Sequence, residues 1–182
     1  MHIHRTLIRS TLSGLQLAAA LALVLGLPSR GSAAPEVTAH IIPEPEATRC
    51  PAWKQDNLIL VVQRGNVVID QLPFCSAYGQ ATVAVVTDAD GTPFVLLRHG
   101  IGRDTAVTRD YLTVYQAVKP LIEMFHAPIA GTAGPDAGWQ YTYNVVKPAT
   151  GGLTLNLKLH VDGQDTGWAP AEKTRRIRLT VD

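Results

Sequence analysis

Beyond residue 50, apolar and polar positions alternate with a period of two. The clearest run is LTLNLKLHV. Leu153, Leu155, Leu157, Leu159 and Val161 point one way, and Thr154, Asn156, Lys158 and His160 point the other. This is the signature of a strand with one buried and one wet face. WQYTYNV sets Trp139, Tyr141, Tyr143 and Val145 against Gln140, Thr142 and Asn144, and RRIRLTV sets Ile177, Leu179 and Val181 against Arg176, Arg178 and Thr180. Three such strands in succession predict an antiparallel meander at the C-terminus.

Earlier segments are more continuously apolar. LILVVQ and NVVID flank Arg64-Gly65, and ATVAVVT and PFVLLRH flank DADGT, so each pair reads as a hairpin. Lacking alternation, these four strands are expected to be buried on both faces. DYLTVYQAVKPLIEMFHA has helix-like spacing at Tyr111, Val114, Tyr115 and Val118. Its Thr, Val and Tyr residues favour strands, however, and Pro120 stops a helix running through. It is read as YLTVYQ and LIEMFH forming a hairpin. About nine short strands result, which predicts an all-β fold: an antiparallel sandwich or an open barrel or meander.

The N-terminus belongs to another class. MHIHRTLIRS is basic, residues 17–27 are apolar, and Gly31, Ser32 and Ala33 are small. That order is a secretory signal peptide, with cleavage placed after Ala33. The apolar core is far shorter than the roughly 20 residues of a membrane span, and no later run approaches that length. Residues 34–49, with Pro35, Pro43 and Pro45 among Glu36, Glu44 and Glu46, are expected to be an extended arm. Residues 50–182 are left as a single all-β domain. Of 16 Lys and Arg, Arg5, Arg9 and Arg30 leave with the signal, so the mature chain carries 13 against 15 Asp and Glu. No basic excess remains to support nucleic-acid binding.

Cys50 and Cys75 both lie in the exported part, and neither sits in a CxxC motif. In an oxidising compartment such a pair is expected as a disulfide, worth about 3.5 kcal/mol by loop-closure entropy. The expected location is secreted, and periplasmic in particular.

One short motif suggests chemistry. FVLLRHG resembles the entry motif of the histidine phosphatase superfamily, in which a strand delivers Arg-His-Gly and the histidine accepts a phosphoryl group held by arginines. The resemblance implies His99 as nucleophile and Arg98 as phosphate ligand. Arg103 sits one residue later than the arginine of the acid-phosphatase version. The family also needs a second pocket histidine, for which His126 and His160 are the later candidates. Its strand opens a mixed α/β domain, whereas here it closes a hairpin and only 83 residues follow His99. Arg98 and His99 are therefore carried as minor catalytic candidates.

The segment HGIGRDTAVTRD is expected as a loop between strands, presenting His99, Arg103, Asp104, Arg109 and Asp110 for binding. APIAGTAGPDAG, residues 127–138, is expected as a second long surface loop. Met124 and His126 are expected on one strand face, an M-x-H pair of a kind that suits copper. No zinc spacing accompanies it, and DADG lacks the further ligands of a calcium loop. No cofactor is expected.

These readings converge on an exported, non-catalytic binding or accessory protein of a bacterial-type cell envelope. Its expected ligand is a protein or an envelope component. The alternatives are a phosphatase-like hydrolase using His99, and a periplasmic inhibitor or immunity protein. Oligomeric state is left open.

Overall fold

The computed structural model describes residues 35–50, 55–77, 80–102, 107–133, 137–163 and 169–181. The expected signal peptide and cleavage site, and Arg103 and Asp104 of the expected binding loop, lie outside them. The described residues form ten strands and no helix: β1 (Val37–Pro43), β2 (Asp56–Arg64), β3 (Val67–Ser76), β4 (Thr82–Thr87), β5 (Pro93–Ile101), β6 (Val107–Gln116), β7 (Ile122–Ala133), β8 (Ala137–Val146), β9 (Leu153–Gly163) and β10 (Thr174–Leu179). They make two antiparallel sheets, β1-β2-β3 and β10-β9-β8-β7-β6-β5-β4, both in simple chain order.

β5 explains why FVLL shows no alternation. Phe94 and Leu96 enter one apolar cluster with Leu112, Val114, Ile129, Tyr141 and Leu155. Val95 and Leu97 enter a second cluster with Val37, Leu60 and Val62 of the small sheet. A strand buried on both faces has no wet side to mark. The large cluster comes entirely from the seven-stranded sheet. β7 and β8 pair only through Ala130, Gly131 and Thr132 opposite Gln140, Trp139 and Gly138. Beyond that short seam the sheet folds over, and β8–β10 cover the same face of β5–β7. Three layers result, with β4–β7 in the middle.

Four expectations need correction. Residues 37–43, expected within the extended arm, are strand β1, paired with β2 from Val37↔Arg64 to Pro43↔Leu58 and burying Val37. Its prolines stand at the ends of the strand, where a missing N–H costs no ladder bond. β3 and β4 are not buried on both faces: Gln71 and Pro73 of β3 and Thr82 and Ala84 of β4 are exposed, while their neighbours Leu72, Phe74, Val83 and Val85 pack on the cluster between the sheets. Most of the expected loop 99–110 is hairpin: β5 runs to Ile101 and β6 begins at Val107, with His99↔Tyr111, Gly100↔Asp110 and Ile101↔Arg109 in register. The expected loop 127–138 is likewise strand at both ends, since β7 runs to Ala133 and β8 begins at Ala137. The hairpin β6–β7 occurs where expected, with a cis Lys119–Pro120 peptide in its turn.

Cys50 and Cys75 form the disulfide, with Cα atoms 5.7 Å apart. Asn57 of β2 holds the incoming segment, accepting from the Cys50 N–H (3.1 Å) and donating to the Ala47 carbonyl (2.7 Å). The bond fits an extracellular or periplasmic compartment, where disulfides persist. Among the described residues, no helix is long and apolar enough to cross a membrane.

Candidate functional site

Two places in the fold gather chemistry-bearing side chains. The first surrounds His99. Alternation along β5 sends Arg98 and His99 to opposite faces of the sheet. Arg98 bonds Asp110 of β6 through Nη2 (2.5 Å) and Nε (3.2 Å). His99 faces the small sheet, where its Nδ1–H donates to the Cys75 carbonyl (3.2 Å) and its ring meets Phe74 edge-on. The end of β3 docks here as well, as the Ala77 N–H donates to the Gly100 carbonyl (2.8 Å).

Tyr111 and His126 complete an aromatic cluster. Ring centroids lie 5.7 Å apart for His99–Tyr111, 5.0 Å for Tyr111–His126 and 6.4 Å for His99–His126. His126 Nδ1 lies 2.8 Å from the Thr113 hydroxyl. Burial lowers the His99 pKa from its ordinary value. The Cys75 carbonyl and Asp110 oppose that fall, and the neighbouring His126 adds to it.

The structure thus places a second histidine beside His99, as the phosphatase resemblance requires. It puts Arg98 across the sheet, turned away from His99 and committed to Asp110. His160 lies elsewhere, on β9. Arg109 is exposed on β6, one residue before Asp110. Met124 and His126 do not share a face. β7 carries an extra residue at Met124, since Val114 pairs with Phe125 while Tyr115 pairs with Glu123. This bulge resets the alternation and turns Met124 into the large core. Among the described residues, no three His, Cys, Asp or Glu side chains are grouped to hold a metal.

The second place is the outer face of β8–β10. A groove of about 630 Å³ runs over it, lined by Thr142, Asn144, Asn156, Lys158, Thr174 and Arg176 among others. The register sets Arg176 beside Asn156, and Asn156 beside Asn144. In the next row Thr174, Lys158 and Thr142 stand side by side. His160 follows Lys158 on β9, 3.4 Å from the Thr142 hydroxyl, and Arg178 follows Arg176, donating to the Thr150 hydroxyl (3.0 Å). Lys158, Arg176 and Arg178 join no ion pair among those between described residues. The wet faces of these strands were legible in the sequence, but nothing in one strand announced that three would align amides and cations into a groove.

No family model, no curated protein and no solved structure matches this chain.

Proposed function

We propose that this chain is an exported, non-catalytic binding module that recognises a cell-envelope component through the outer face of β8–β10. The observation that carries the reading is the groove itself, in which amide, hydroxyl and cationic side chains share one open surface. These groups donate and accept hydrogen bonds of the kind a polar envelope ligand offers. β9 is paired on both sides over residues 154–158, so the side chains stand on a rigid support. Recognition groups held on strands keep their spacing better than groups held on loops.

The test is co-sedimentation of the exported chain with the envelope fraction of the producing cells. The wild type is expected in the pellet, and Arg176→Ala with Lys158→Ala is expected to leave most of it in the supernatant. Retention unchanged by the double substitution would overturn the reading.

One observation favours the hydrolase alternative: His126 stands 6.4 Å from His99, ring to ring. Hydrolysis of p-nitrophenyl phosphate that His99→Ala abolishes would replace the binding reading. No turnover above background is expected.

A further inference from the structure

We infer that the groove on β8–β10 binds a linear acidic polysaccharide, read through a diagonal stripe of cations; this inference rests on the binding-module reading. The cations of the stripe are Arg178, Arg176 and Lys158, and the imidazole of His160 extends the line. Arg176 and Arg178 are successive outward positions on β10, and Lys158 and His160 are successive outward positions on β9. Arg176 pairs with Asn156, so Lys158 stands one row further along and one strand across. Outward neighbours on one strand are about 6.8 Å apart and adjacent strands about 4.8 Å, which makes the stripe roughly 20 Å long. On the same face of β9 the next outward residue is the carboxylate Asp162, beyond the end of the stripe. Among the described residues, Glu172 before β10 is engaged by Arg175 at 2.9 Å, and Asp88, near the far end of β10, is taken up by backbone N–H groups of its own turn and of Gly152. Among the described residues no ion pair neutralises Arg178, Arg176 or Lys158, and a field of one sign selects for a polyanion.

The groups between the cations narrow the class. Asn144, Asn156 and Thr142 offer donors and acceptors suited to hydroxyl groups. The outward positions of β8 are Gln140, Thr142, Asn144 and Val146, which provide no aromatic platform. Single-stranded nucleic acid bound without base stacking loses a main source of its affinity. An acidic peptide would gain most from main-chain pairing, but the backbone of β9 beneath the groove is paired on both sides, and the free edge of β10 lies beside the sheet face that forms the groove rather than in its floor. A chain of acidic sugars needs neither base stacking nor a free strand edge. Its carboxylates meet the stripe and its hydroxyls meet the amides.

The probe is polygalacturonate, with dextran, poly-glutamate and oligo-dT as comparators, and binding to the exported chain is read by affinity electrophoresis. Polygalacturonate is expected to retard the wild type, less so as salt rises because the charges are exposed. Lys158→Ala with Arg176→Ala is expected to weaken binding at least tenfold while leaving the thermal midpoint close to wild type. Equal retardation by dextran would overturn the role of charge. Equal or tighter binding of poly-glutamate or oligo-dT would overturn the sugar class. If polygalacturonate does not bind while the double variant still loses envelope retention, the polysaccharide inference fails and the binding-module reading stands. If envelope retention is also unaffected, both fall.

Discussion

Asp88 offers the sharpest test of how the layers are held together. It sits at the turn between β4 and β5 and is 7 % exposed. One carboxylate oxygen accepts the N–H groups of Asp90 (3.0 Å) and Thr92 (2.8 Å), which closes the turn. The other accepts the Gly152 N–H (2.7 Å) in the turn between β8 and β9, 64 residues along the chain. This bond ties the middle layer to the sheet segment that carries the groove, at the end opposite the short β7–β8 seam.

Asp88→Ala leaves three donors without partners. The Gly152 N–H is buried, and losing a charged acceptor there costs about 2 kcal/mol. The two turn donors regain water in part, and each costs about 0.5–1 kcal/mol. The expected loss is about 3–4 kcal/mol, a large share of a typical domain's stability. Asp88→Asn keeps an acceptor for one side and should lose about half as much. Urea denaturation reads the loss as a lower midpoint at unchanged slope, and hydrogen exchange reads it as lost protection at the Gly152 amide. A loss below about 1 kcal/mol for Asp88→Ala, with Gly152 still protected, would refute the clamp. Gly152 itself has φ 73° and a built Cβ would collide with the Leu179 carbonyl oxygen, so Gly152→Ala should destabilise independently.

The disulfide-bonded chain, denatured without reductant, should titrate no free thiol, and replacing Cys50 and Cys75 by Ala should cost about 3.5 kcal/mol in the chain-entropy picture. His99 predicts an acid limb in stability. Burial holds its imidazole below the ordinary 6.5, so as pH falls the unfolded chain takes up the proton first. Its contribution is complete above about 6.5 and is lost as pH drops toward the folded-state value. The thermal midpoint should therefore fall between pH 7.5 and pH 5, and by less in His99→Gln; equal falls would exclude His99 as a cause. Tyr141 donates from its hydroxyl to the Glu172 carbonyl at 2.7 Å, at the approach to β10. Tyr141→Phe should cost about 1 kcal/mol, and an unchanged urea midpoint would show that the bond contributes nothing.

Local periodicity makes much of this fold readable from the order of residues alone. The alternation of LTLNLKLHV marks which side of β9 is dry, and Leu153, Leu155 and Leu157 are buried. Pro120 and the β-branched content around it correctly argue for a hairpin. Composition misleads where it stands in for pairing. Three prolines make residues 34–49 look like an arm, yet Val37–Pro43 finds a partner in β2 because its prolines fall outside the paired interior. Gly and Ala make residues 127–138 look like a loop, yet the strands continue through much of it. Met124 is misplaced by alternation because a bulge changes facing without changing local sequence pattern.

The groove is hidden for a deeper reason, because its stripe is a property of register and belongs to no single strand. Arg176 stands beside Asn156 and Lys158 stands beside Thr174. A slip of one residue would turn the cations into the core. A slip of two, in one direction, would set Arg176 directly opposite Lys158, which like-charge repulsion disfavours. The same charges that offer a ligand surface therefore help to choose the register that spaces them. Their diagonal stagger keeps each cation beside an uncharged cross-strand partner, with Arg178 beside Thr154 and Lys158 beside Thr174 and Thr142. Removing charge at Lys158 should thus weaken polyanion binding without loosening β10, whereas Asn156→Lys should strain the β9–β10 pairing by placing a second cation against Arg176.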